Sequence, residues 1–177
     1  MEINDKLVQL VAKWYCDTSK RLLVAEDANW FYAVSGGLAV RVSPHPFSEQ
    51  AIGLRDNVGT SEIIRGNIKR LFDVDVSELS PLSDLERTCK TNTFTGLFFT
   101  DGHSRHVLIN QAYLRVIKAK SHSTMLYGLV DKGEIQNVYV TPFESDEIVA
   151  VIRPLAGKWG VRNDGDKNDD EGVNKKR

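Results

Sequence analysis

Leu7, Leu10, Val11 and Trp14 recur at the i, i+3, i+4, i+7 spacing of one helix face. Lys6, Gln9, Lys13, Asp17 and Lys20 fall on the opposite side, and Asn4 or Asp5 stands where a cap belongs. This predicts a helix reaching about residue 19. The pattern then shortens to strand runs: Leu22-Leu23-Val24-Ala25, Trp30-Phe31-Tyr32-Ala33-Val34 and residues 38–42. Asp27-Ala28-Asn29 and Ser35-Gly36-Gly37 supply the turns between them. Gly36-Gly37 reads as a hairpin turn and not a phosphate loop, because no Lys-Ser/Thr and no helix follow it.

Residues 47–59 carry no clear period and read as a loop. A second helix is expected over 61–72, capped by Thr60 or Ser61, with Ile64, Ile68, Leu71 and Phe72 on its apolar side. Gly66 weakens it by about 1 kcal/mol relative to Ala. Residues 73–93 are acidic and hold Ser and Pro, which predicts a long surface loop with one short helical turn. Strands are expected over 94–100 and 105–109, joined by the Asp101-Gly102 turn. Asn110 caps a third helix over 111–120, with Tyr113, Leu114 and Ile117 facing inward. Three more strands follow, over 124–130, 135–140 and 147–152. Residues 163–177 have one hydrophobe, Val173, so 158–177 is expected to be a disordered tail.

The order helix-then-three-strands thus occurs twice. It predicts an α+β fold: an antiparallel sheet with helices on one face, built from two helix-plus-three-strand units. The expected organisation is one domain over 1–157, with 43–93 as an enlarged middle. At 177 residues and 41% hydrophobic, the chain has room for such a core.

Charge changes the picture by its distribution and not by its sum, which is −1. Residues 102–130 contain no acid but include Arg105, Arg115, Lys118 and Lys120. Residues 73–86 reverse this, with Asp73, Asp75, Glu78, Asp84 and Glu86 and no base. The outer sides of the first and third helices are therefore a candidate backbone-tracking surface for double-stranded DNA, carried by Lys6, Lys13, Arg115, Lys118 and Lys120. No stretch approaches the roughly 20 apolar residues that span a bilayer, and the start does not read as a signal peptide. A cytoplasmic protein with no membrane contact is expected, with Cys16 and Cys89 as reduced thiols.

Catalytic chemistry finds little support. His103-x-x-His106 beside Asp101 is the best metal or acid–base candidate. A metal site needs three or four ligands, His45 and His122 are remote, and positions three apart on a strand face opposite ways. Surface histidines in a turn are the expectation. Ser35 lacks the first glycine of a nucleophile elbow. Trp14, Trp30, Phe31, Tyr32, Phe98 and Phe99 are read as core and not as a base-stacking surface. No enzyme, cofactor or metal is expected, with a metal-dependent hydrolase around Asp101, His103 and His106 as the enzymatic alternative.

Several stretches resemble the DNA sliding clamps, the bacterial β-clamp in particular. Val107-Leu108-Ile109-Asn110-Gln111-Ala112-Tyr113-Leu114 is similar to that family's strand ending in Asn-Pro-x-Tyr-Leu at the start of a helix. Val138-Tyr139-Val140-Thr141-Pro142 and Val149-Ala150-Val151-Ile152-Arg153-Pro154-Leu155 resemble its last two strands. Thr100-Asp101-Gly102-His103 resembles its Thr-Asp-Gly-His-Arg turn, with Ser104 in place of Arg. The resemblance covers about 98–156, and its repeated unit is a strand, a helix and three strands. It implies a non-enzymatic DNA-replication accessory that binds DNA backbone and/or replication proteins. It also implies a peptide-binding pocket at Thr100, Gly102, His103, Arg153, Pro154 and Leu155. Arg153 departs from the apolar residue of the family, and the chain continues past Leu155 where the family stops. A bacterial clamp subunit has three such domains, so this chain would close a ring only as a homo-oligomer. The alternative is a protein-interaction or inhibitory module of phage or mobile-element type that does not bind DNA.

Overall fold

A computed structural model describes residues 3–17, 21–43, 61–117 and 124–155. Helix α1 (Ile3–Cys16) buries the stripe that its periodicity marked: Leu7, Leu10, Val11 and Trp14. Asn4 lies inside the helix. Its side-chain amide donates to Ser43 Oγ at 2.9 Å, and its Oδ1 accepts from Ser43 N at 3.1 Å, tying the start of α1 to the chain beyond β3.

Strands β1 (Leu23–Glu26), β2 (Phe31–Ser35) and β3 (Leu38–Val42) form an antiparallel meander. Asp27 Oδ1 accepts from the backbone N–H of Asn29 and Trp30, 2.9 Å each, and closes the first turn. Gly36 has φ +61°, the left-handed region that favours glycine in a tight hairpin.

Helix α2 (Glu62–Arg70) starts at Ser61, whose side chain accepts from Ile64 N. A 3₁₀ turn (Val76–Glu78) follows, then β4 (Ser80–Pro81), β5 (Ser83–Lys90), β6 (Thr95–Thr100) and β7 (His106–Asn110). Asn110 Oδ1 accepts from Ala112 N at 2.9 Å and caps α3 (Gln111–Ile117), as expected. Strands β8 (Thr124–Asp131), β9 (Glu134–Pro142) and β10 (Ala150–Ile152) complete the second meander.

Ten strands make two antiparallel sheets among the described residues. The larger has the order β1-β2-β3-β10-β9-β8-β4 and the smaller β5-β6-β7. The two meanders join where β10 lies between β3 and β9, with Ala150 opposite both Val40 and Val140. The fold is thus α+β and antiparallel, with two helix-plus-three-strand units meeting at β3 and β10. The chain passes from one sheet to the other at Leu82, whose N–H donates to Leu126 O at 2.9 Å.

The main core draws Phe31, Ala33, Leu38, Val40, Val138, Val140 and Ile152 from one face of the large sheet. It draws Leu97, Phe99, Val107 and Ile109 from the small sheet, and the inward sides of α1 and α3. The helices of the two units pack against each other. On the other face of the small sheet Gly96 lies against Leu108: a Cβ there would lie 2.6 Å from Leu108 Cδ1.

Three expectations need correction. Helices do not all share one face, because α2 covers the other side of the large sheet with Ile68 and, just past its end, Phe72. That side presents Ala25, Tyr32, Ala39, Tyr139 and Val151, which are as apolar as the first and need a cover of their own. The expected loop over 73–93 contains the eight-residue strand β5, whose residues alternate between exposed and half-buried. Its charges are those of a protected edge strand, and they disguised it as loop. The last strand is also shorter than 147–152, being confined to Ala150–Ile152. The expected loop over 47–59 and the tail over 158–177 lie outside the described residues.

Candidate functional site

Two surfaces hold the residues singled out in the sequence. The first is the side of the molecule formed by α1 and α3. Lys13 and Arg115 are placed there, each exposed and in the last turn of its helix, with Lys6 half-buried. Lys118 and Lys120 lie outside the described residues. A cation in a helix's last turn suits the negative end of its dipole, so these positions also serve the helices themselves.

Between α1, α3 and the β2–β3 turn runs a cleft of about 460 Å³. Tyr113 closes one end: its hydroxyl accepts from Gly37 N at 3.1 Å, so the hairpin is docked on α3. A Cβ on Gly37 would sit 3.2 Å from that hydroxyl, which is why this turn is glycine at its second position too. Sequence reading assigned Tyr113 to the core and missed this role. The aromatic ring is half-buried, and the polar tip finds its partner 76 residues away.

The second surface is a groove of about 670 Å³ beside the end of the last strand. Arg153, Pro154 and Leu155 line it, opposite Ser104 to Leu108, Gly133 of the β8–β9 turn and Glu134 to Gln136 at the start of β9. Strand β7 pairs on one side with β6. On its other side Leu108 O accepts from Leu155 N at 2.9 Å. His106, two residues earlier, aims its backbone groups the same way, so the first half of this edge faces the groove.

The structure therefore joins half of the expected peptide pocket. Arg153, Pro154 and Leu155 line the groove, but Thr100, Gly102 and His103 do not. Those three belong to the turn that shapes its rim. Thr100 Oγ1 donates to Arg105 O at 3.0 Å and accepts from Gly102 N at 3.2 Å. Phe98, read from the sequence as core, is half-buried and lines the groove instead, because it points away from the core side that Leu97 and Phe99 share. Ile135 and Gln136 carry no motif.

Asp101, the carboxylate of the metal or hydrolase alternative, is committed within the same turn. Its side chain is inaccessible to solvent. Oδ1 accepts from His103 N at 2.9 Å, and Oδ2 pairs with Arg105 Nε. Burial by itself raises its pKa. The His103 N–H and the Arg105 guanidinium outweigh that and hold the carboxyl below the usual aspartate value. His103 and His106 are exposed. Among the described residues, no three His, Cys, Asp or Glu gather as a metal site would require.

A polar cluster sits on the far side of the large sheet. The Arg41 guanidinium lies 4.5 Å from the Trp30 ring centroid and 5.7 Å from that of Phe72. Tyr32 OH donates to Asp27 Oδ2 at 2.7 Å. Burial, and then the Asp27 carboxylate, push the Tyr32 pKa up to about 12. This cluster links β2, β3 and α2 and is architectural in its contacts. Both cysteines are free, Cys16 exposed and Cys89 half-buried on β5.

Comparison with protein-family models, with curated proteins and with solved structures finds no match in any of the three. No helix among the described residues is long and apolar enough to cross a membrane.

Proposed function

We propose that this chain is a sliding-clamp-like, non-enzymatic DNA-replication accessory. It acts by binding: the α1–α3 side meets duplex backbone, and the groove at Arg153 to Leu155 meets replication proteins. One observation carries the reading. Two helix-plus-three-strand units meet at β3 and β10 with their helices side by side. That arrangement sets two rod-like elements on one side of a stiff sheet, with Lys13 and Arg115 in their last turns. Such a surface contacts phosphates without reading bases, as a replication accessory must.

The proposal is tested by charge reversal. An Arg115→Glu/Lys118→Glu/Lys120→Glu variant is expected to bind random-sequence duplex at least ~10-fold more weakly at low salt. A Leu155→Asp variant, altered in the groove, is expected to keep its duplex affinity. Equal loss in both variants, or in neither, overturns the assignment of the duplex to the helical side.

A second reading has its own observation. The half-open edge of β7 beside a 670 Å³ groove suits an extended peptide, which would add backbone hydrogen bonds to His106. A protein-interaction module that never touches DNA needs only this groove. It predicts loss of partner binding in Leu155→Asp and no duplex binding in any variant.

A further inference from the structure

We infer that the cleft between α1, α3 and the β2–β3 turn is a binding site for a small amphiphilic anion, an aryl or alkyl body carrying one carboxylate, sulfonate or phosphate. Such a site shares Lys13 with the proposed duplex face but does not rest on duplex binding. Its first support is shape. At about 460 Å³ the cleft falls within the roughly 300–1,000 Å³ of small-molecule pockets. It is also preformed, because the Tyr113 hydroxyl holds Gly37 N and fixes the hairpin against α3.

The second support is the chemistry of the walls. Leu10, Trp14 and Leu38 reach the cleft from the core and are each less than a tenth exposed. Val116 continues this apolar wall to the surface and is 36% exposed. An apolar body entering here displaces water from a surface that has no hydrogen bonds to offer it.

The third support is charge. Lys13 and Arg21, both exposed, border the cleft, and no acidic residue lines it among the described residues. Two cations beside an apolar slot complement a ligand with an apolar body and an anionic head. A neutral ligand would leave them unused, and a polyanion would leave the apolar wall wet.

The test uses the full chain and two fluorescent probes of nearly the same shape: 8-anilinonaphthalene-1-sulfonate and its uncharged analogue N-phenyl-1-naphthylamine. The anion is expected to bind one-to-one and more tightly than the neutral probe. Lys13→Glu/Arg21→Glu, which reverses both cations, is expected to weaken the anion by about ten-fold and the neutral probe by less than about two-fold. Val116→Trp fills the outer part of the cleft and is expected to weaken both. Circular dichroism establishes that each variant is folded. Unsaturable binding, equal affinity for the two probes in the wild type, or binding unchanged in the Val116→Trp variant overturns the inference.

Discussion

Asp101 and Tyr32 are two side chains whose ionisation the fold shifts, in opposite directions. For Asp101, partners in the folded turn lower the pKa below the unfolded value of about 3.9. A lowered folded pKa gives stability that is present above the unfolded pKa and lost as pH falls through the folded one. Asp101→Asn is expected to destabilise the protein at pH 7 by about 1.5–3 kcal/mol and to flatten its acid unfolding curve below about pH 4. Urea denaturation across that range measures both effects. Tyr32 works in the opposite direction. Its folded pKa is raised to about 12, so its stability is full below the ordinary value near 10 and falls as pH rises toward 12. Tyr32→Phe is expected to remove that alkaline loss while costing about 1 kcal/mol at neutral pH from the lost Asp27 contact. At this scale, His103 and Asp101 looked like chemistry in the sequence because residue type says nothing of partners. The short link from Asp101 to Arg105 turned the carboxylate into a turn lock.

Among the elements, those with a strong period were legible before any coordinates. The α1 stripe, the Asn110 cap and both meanders follow from spacing alone, because one face must be buried and the other wet. Strand β5 was not legible. Asp84, Glu86 and Arg87 hide its alternation, and a bulge between Asp84 and Thr88, with Glu86 at φ +57°, breaks the register. The placement of α2 was also hidden, since its own apolar stripe does not say which face of a sheet will receive it. Its role predicts a measurable cost. Ile68→Ala is expected to lower stability by about 2–5 kcal/mol, as for other buried aliphatic truncations, because it opens the core that α2 forms with Tyr32 and Phe72. Gly96→Ala on β6 is expected to cost about 1–3 kcal/mol, because its Cβ would overlap Leu108 on β7. Thermal or chemical unfolding of the two variants tests the packing of α2 and of the β6–β7 pair separately.

For the molecule as a whole, the sites were less legible than the fold. Arg153, Pro154 and Leu155 reached the groove. Thr100, Gly102 and His103 did not, because the turn consumes their polar groups. The anion cleft left no motif at all: its walls come from α1, α3 and a hairpin that only the tertiary contact of Tyr113 with Gly37 brings together. The proposed accessory role rests on how the two units sit, with helices paired on one side and cations in their last turns. Its most direct test is the salt dependence of affinity for a random-sequence duplex, compared between the wild type and an Arg115→Glu/Lys118→Glu/Lys120→Glu variant. The account predicts a linear fall of log affinity with log salt. It predicts a slope shallower in the variant by about 0.9 for each phosphate contact removed. A wild type that binds no duplex at low salt, or a variant with the same slope, would contradict it.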